Sequence, residues 1–467
     1  MKKTIAFVLL CVILSVVMLG STAAMLGPLK DEVTVRQTTL FGDPGAAEGL
    51  RIENNIRYED HALWNVHFNA NETETDSTFS FSHDEVSDRV ELGYRNHGGV
   101  SIDMFGGDHD DRFHEKAAIY HELEKEAEYN VEISRIVCPA DYYDMYPLFF
   151  EIDYPDYPSY TRWQREDPAG QAVQDALRAA FPIPVDPHDL IEVHFEKRDN
   201  GDIMSWGGSS LDTFPDLQAS SACTENGIYF VFSEQERGGI DLDFSKFPQG
   251  YGVYFLPMLP AADENSDSTA QPDGLCNIYP LDETQVECAE VYGLQDRLFV
   301  ITLEGDTYWA TVLDMNTYGV LQRFKVCDDP EGWRISNIFG QDDHFIISFY
   351  GDTFALIAPD GNGGYETALY ADLPEGLYDY CTFSHWRVSS AWNGECLAIA
   401  EDTDESALYV AVYDRTGLLY TGLYETSLTD QPEYQHRNSF LPEALGGSGD
   451  PRYCLFTSNA PYKLTWW

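Results

Sequence analysis

Apolar residues along this chain fall in short continuous runs or on alternate positions, bounded by Gly, Asp and Asn, which is the spacing of strands and not of helices. The pattern is most regular in the C-terminal half, where three segments repeat it. The first holds Leu298-Phe299-Val300-Ile301 and then 305–314, the second Phe345-Ile346-Ile347 and then 351–360, and the third Leu397-Ala398-Ile399 and then 406–414. Each closes on an Asp (Asp314, Asp360 or Asp414) and runs on into a further strand near Gly319, Gly364 or Gly417. Leu298, Phe345 and Leu397 are equivalent positions, so the steps are 47 and 52 residues. A four-stranded propeller blade takes about 40 to 50 residues, and a single meander of that size cannot bury both faces without stacking on a neighbour.

Weaker copies precede these. One opens at 226–232 and continues through 252–256, and 191–206 reads as a hairpin turning at Asn200-Gly201. A polar loop, 261–274, is inserted between copies. One helix stands out, 171–180, with Asp167 as its cap, Pro168 in its first turn and the run Phe181-Pro182-Ile183-Pro184 as its stop. The stretch 31–165 is strand-like without a clean repeat. The expected class is all-β, with β-propeller-like stacked four-stranded meanders, about six to eight blades, an N-terminal signal or anchor helix and one short internal helix. The expected organisation is 1–30 as signal peptide or transmembrane anchor and 31–165 as first blades or a separate β-sandwich. A helical, Pro-rich connector (166–187) then leads into the repeat region, 188–467.

The first thirty residues change the picture of location. Lys2 and Lys3 precede an apolar stretch from Ile5 to Leu19, and small residues follow at Gly20 to Ala24. That order suits an export signal cleaved after Ala23 or Ala24. The gap without charge from Lys3 to Lys30 is also long enough to cross a bilayer core of about 30 Å as a retained helix. Either way the remainder is expected outside the cytoplasm, secreted or anchored to the membrane only through that helix. Charge narrows the partners. With 28 basic and 79 acidic residues the net charge is −51, which repels nucleic acid and anionic lipid and leaves a protein partner or a glycan.

Eight cysteines follow the leader segment, with no C-x-x-C among them. Cys276 and Cys288, flanking one short segment, are the nominated disulfide pair. Several of the others lie inside apolar runs, where a thiol behaves as a small hydrophobe.

Over residues 190–467 the repeat resembles bacterial extracytoplasmic β-propeller proteins in general. No Trp-Asp signature and no Ser-x-Asp-x-Gly-x-Thr-Trp box accompanies it, so the resemblance implies architecture and carries over no catalytic residue.

Two constellations are candidates for chemistry. Asp108, His109, Asp111 and His114 crowd carboxylates and imidazoles around Gly106-Gly107, a composition that suits calcium or another divalent cation, although neither H-E-x-x-H nor a calcium-loop spacing is formed. Tyr142, Tyr143, Tyr157, Tyr160 and Trp163 set flat rings beside carboxylates, which suits a sugar-binding surface or an interface. Asp360-Gly361-Asn362-Gly363-Gly364 reads as a hairpin turn. With no nucleophile elbow, P-loop or dinucleotide fingerprint, no catalytic residue is nominated and no cofactor beyond calcium. The function expected is a non-catalytic extracytoplasmic protein that binds a partner protein or a glycan. The alternatives are a propeller hydrolase or lyase acting on polysaccharide, and a membrane-anchored sensor or assembly factor.

Overall fold

The structure is a computed structural model that describes residues 13–17, 33–58, 62–72, 75–81, 99–103, 125, 128–146, 148–154, 168–188, 190–197, 203–210, 217–234, 244–261, 267–328, 335–350, 353–374, 388–402, 407–427 and 463–467. It is all-β, with propeller-like antiparallel meanders and one long helix among the described residues. The chain divides into two compact units, residues 93–333 and, discontinuously, residues 1–92 with 334–467.

In the central unit, β5 (Gly99–Asp103) pairs with β7 (Phe149–Asp153), and β6 (Glu132–Val137) with β8 (Ile191–Lys197) and β9 (Ile203–Ser210). A five-stranded sheet follows, with β10 (Leu217–Thr224), β11 (Gly227–Glu234) and β12 (Gly252–Leu259) in order and β13 (Thr269–Ala270) and β14 (Cys276–Pro280) both on β12. Next comes the meander β15 (Val286–Leu294), β16 (Arg297–Glu304), β17 (Thr307–Asp314) and β18 (Val320–Asp328). Helix α1 (Pro168–Ala180) lays Val173 and Leu177 into this unit's core, and buried Gln174 bonds the backbone of Phe150 through both amide atoms. Just past the helix, Phe181 is fully buried among Phe230, Phe232, Phe247 and Tyr254, with ring centroids 4.7–5.7 Å away and near-perpendicular planes. Burial of one such ring is worth about 1.5–3 kcal/mol, and each edge-to-face pair adds about 0.5–1.5 kcal/mol.

Among the described residues the discontinuous unit holds three sheets. One is the meander β19 (Ile335–Gln341), β20 (His344–Phe349), β21 (Thr353–Pro359), β22 (Tyr365–Asp372). A second runs β23 (Val388–Trp392), β24 (Cys396–Asp402), β25 (Leu408–Asp414), β26 (Gly417–Thr426), and N-terminal β1 (Val35–Gly42) is added beyond β26. The third joins β2 (Leu50–Tyr58), β3 (Ala62–Asn69) and β4 (Thr75–Phe81) to C-terminal β27 (Lys463–Trp466) on β2. The two chain ends are thus interlocked, each finishing a sheet otherwise built from the opposite end. One apolar cluster packs Leu50, Ile52, Val66, Phe68, Val410, Val412 and Leu464, and another packs Ile346, Leu356, Leu397 and Tyr413.

The structure shows the repeat, displaced by one strand. The runs at Leu298, Phe345 and Leu397 are the second strands of their sheets, β16, β20 and β24, and each meander begins earlier, at β15, β19 or β23. The first strands escaped the periodicity because they mix apolar with small polar residues. Ser389 and Ser390 of β23 are buried at 4% and 2% exposure, so burial there does not read as hydrophobicity. The closing Asp residues have a local role. Asp314 Oδ1 accepts from the backbone N–H of Asn316 and Thr317 at 2.9 Å, Asp360 Oδ1 from Asn362 and Gly364, and Asp414 Oδ1 from Thr416 and Gly417. Each carboxylate thereby takes the unpaired donors of the turn into the fourth strand. Gly361 and Gly363 at positive φ complete the turn expected at 360–364.

The helix starts at Pro168 and ends before Phe181 as its sequence indicates, while Asp167 lies outside the described residues. So does all of 1–30 except 13–17. Among the described residues no helix is long and apolar enough to cross a membrane.

Candidate functional site

In the discontinuous unit a groove of about 1000 Å³ opens where the interlocked termini meet. One wall comes from β1 and the 3-10 turn after it, Pro44–Ala47, which presents Gln37, Gly45 and Glu48. The opposite wall is the end of β3 and its turn, with Asn69, Asn71 and Glu72, and Trp467, just past β27, lines the groove beside them.

Backbone chemistry fixes these parts. Gly42, at φ +73, carries β1 into the turn, and a Cβ there would lie 1.9 Å from the Leu419 carbonyl oxygen, so only glycine fits. Asp43 caps the turn by accepting from the Gly45 N–H at 2.9 Å. Asn71 sits at φ +74, a conformation asparagine tolerates better than most residues. Its amide donates to the Pro44 carbonyl at 2.6 Å, and its Oδ1 accepts from Gln37 Nε2 at 3.2 Å, which ties the two walls together. Gln37 Nε2 also donates to the Tyr420 hydroxyl at 2.7 Å, and Asn69 Nδ2 donates to Glu72 Oε2 at 3.0 Å. The Trp467 backbone N–H donates to the Gly49 carbonyl at 3.0 Å, and the residue stays 81% exposed. The Arg51 guanidinium lies over the indole at 5.4 Å from the ring centroid, within cation–π range.

An exposed indole at a groove of mixed polar and apolar lining is a ready stacking platform. The sequence signal for it was the terminal Trp466-Trp467 pair, which local pattern could not connect to Gln37 or Asn71, some 400 residues away in the chain.

Of the residues nominated from sequence, those that are described lie elsewhere. Tyr142 and Tyr143, after a 3-10 turn at Pro139–Asp141 in the central unit, are both half-buried with ring centroids 6.4 Å apart, and Tyr143 packs against that unit's core. Tyr157, Tyr160 and Trp163 lie outside the described residues, as do Asp108, His109, Asp111 and His114. Among the described residues no group of three or more His, Cys, Asp or Glu could hold a metal ion. Cys276, on β14, and Cys288, on β15, belong to different sheets, and both are in the thiol form. Cys223, buried on β10, has its thiol pushed up to about 12, first by desolvation and then by the Asp153 carboxylate, so it is an inert core group and not a nucleophile.

One arrangement has the order of a hydrolytic relay. His344 Nδ1 is 3.5 Å from Asp343 Oδ1, and its Nε2 is 3.0 Å from Ser390 Oγ. The hydrogen bond to His344 holds the Asp343 carboxyl below its ordinary value. Yet His344 is 1% and Ser390 2% exposed, so no substrate carbonyl can reach the hydroxyl. The His344–Ser390 bond ties β20 to β23 and satisfies two buried polar groups.

No protein-family model matches the chain, and no curated protein matches it in sequence. Similar solved structures include a protein from Lactobacillus plantarum, at 13% identity over 51% of this chain and 66% of that one, with a TM-score of 0.21. Another is the periplasmic gluconolactonase of Pseudomonas aeruginosa, at 10% identity over 79% and 82%, with a TM-score of 0.24. A third is a post-proline cleaving enzyme from Rickettsia typhi, at 9% identity over 86% and 46%, with a TM-score of 0.25. The chain thus spans less than two thirds of the length of the Lactobacillus and Rickettsia proteins. Scores this low carry no argument about activity, and the all-β class rests on the sheets themselves.

Proposed function

We propose that this chain is an extracytoplasmic, non-catalytic binding protein that takes a glycan in the groove at its interlocked termini. The observation that carries the reading is Trp467, a residue left 81% exposed that lines a groove together with the amides of Gln37, Asn69 and Asn71 and the carboxylates of Glu48 and Glu72. A ring face stacks on the C–H face of a sugar, and the surrounding oxygens accept from its hydroxyls. A mixed apolar and polar lining of this kind is the usual make-up of a small-ligand site. The location outside the cytoplasm is supported by the basic, apolar and small-residue order of 1–24. The binding role is preferred because the relay-like arrangement found among the described residues keeps its His344 and Ser390 buried, out of reach of a substrate.

The test is a thermal melt and tryptophan-fluorescence titration of the protein against a panel of oligosaccharides, run in parallel on Trp467→Ala. A ligand at a hundredfold excess over its Kd stabilises the folded state by about 2.7 kcal/mol, a rise large enough to read. A response to one glycan that disappears in Trp467→Ala is the expected result. A response that survives the substitution would place the site elsewhere, and no response to any sugar would turn the search to protein partners.

A further inference from the structure

Resting on the glycan reading of this groove, we propose that its ligand is an amino sugar polymer with free, protonated amines, and not a neutral or acidic glycan. The hydrogen-bond inventory of the lining points that way. Both donations from Gln37 Nε2 go to protein atoms, and Asn71 Nδ2 and Asn69 Nδ2 each donate within the walls. For a ligand the lining leaves acceptors at Gln37 Oε1, Asn69 Oδ1, the second oxygen of Glu72 and the carboxylate of Glu48, beside donors at the Thr39 hydroxyl and the second N–H of Asn69 and Asn71, and its charged side chains are both negative. Neither glutamate is ion-paired among the described residues, and no lysine or arginine lines the groove. The Arg51 guanidinium sits against the Trp467 ring and does not line the groove.

The field of the whole chain, at −51, draws cationic ligands and repels uronic or phosphorylated ones. A protonated hexosamine unit meets each of these features at once. Its ring stacks on Trp467, its hydroxyls donate to the amide oxygens, and its ammonium is set against Glu48 or Glu72.

The experiment uses the full chain and three β-linked oligosaccharides of equal length: a glucosamine oligomer with free amines, its fully N-acetylated counterpart and the glucose counterpart. Two solvent-exposed ion pairs are worth on the order of tenfold in affinity. The free-amine oligomer is therefore expected to bind about tenfold more tightly than the other two at low salt, with the gap closing near about 0.5 M salt as the charges are screened. A Glu48→Gln, Glu72→Gln double variant should bind all three alike, and Trp467→Ala should lose all three. Equal affinity of the three oligomers for the native protein would overturn the amine preference and leave the glycan reading standing. Absence of binding by any would overturn both. Free-amine binding that persists undiminished in both variants would mean attraction to the acidic surface at large, and would also overturn the proposal.

Discussion

Two sheets of this molecule, alike in strand number, are finished in opposite ways. β15–β18 are contiguous, so every pairing is a hairpin between neighbours and every register is set by a short turn. In the sheet of β2–β4 the place beside β2 is taken by β27, more than 390 residues on, with Leu50 opposite Trp466 and Ile52 opposite Leu464. The first kind is cheap in loop entropy and announces itself as a repeat. The second needs closure of almost the whole chain before its hydrogen bonds form, and nothing local marks it. The difference matters for the proposed site, because the groove is lined by Trp467, just past that distant strand.

The sharpest way to break this comparison is to weaken the returning strand. Leu464 is 1% exposed in the core of its unit, and Leu464→Ala should cost about 2–5 kcal/mol of stability and abolish glycan-induced stabilisation. Leu298→Ala, at a fully buried position of the contiguous sheet, should cost a similar amount. Denaturant melts of both would show whether β27 is as integral as β16, and a loss under 1 kcal/mol at Leu464 would mark β27 as a loosely attached edge.

Glycines sharpen it next. Gly42→Ala meets the Leu419 carbonyl as well as a left-handed φ, whereas Gly305→Ala, in the β16–β17 hairpin, has the φ of +60 with open space around it. The second should cost about 1 kcal/mol and the first clearly more, by the same melts.

A smaller effect is expected between β20 and β23. Ser390→Ala leaves buried His344 Nε2 without its partner and should cost about 1–3 kcal/mol in equilibrium unfolding. An unchanged midpoint would show that the His344–Ser390 bond does not hold the two sheets together.

The smallest concerns pH. Hydrogen bonds from the Thr416 hydroxyl and backbone N–H hold the Asp414 carboxyl below its ordinary value of 3.8. A folded-state value lower than the unfolded one gives stability that is fully present above about pH 4 and lost as pH falls through the folded value. Asp414→Asn keeps an accepting oxygen for the turn and removes the titration. Its melting temperature should therefore fall less steeply than that of the native protein between pH 5 and pH 3, and parallel slopes would remove Asp414 from the acid response.

Much of the fold was legible in the chain itself. Strand periodicity, the Asp-closed turns at Asp314, Asp360 and Asp414, and the helix limits at Pro168 and Phe181 are each set by residues within a few positions of one another, so local sequence suffices to state them. The first strand β23 was less legible, because its Ser389 and Ser390 are buried with polar side chains instead of apolar area. The site was hardest to see. The tyrosines at 142 and 143 carried the stronger local signal but pack half-buried in the central unit, while Gln37, Asn71 and Trp467 carried almost none. By itself the sequence determined the sheet class, the meander period and the acidity. Which distant strands complete which sheets, and therefore which aromatic is left facing solvent beside which acceptors, was decided only by tertiary structure, because those pairings are long-range choices among many strands of nearly equal local preference.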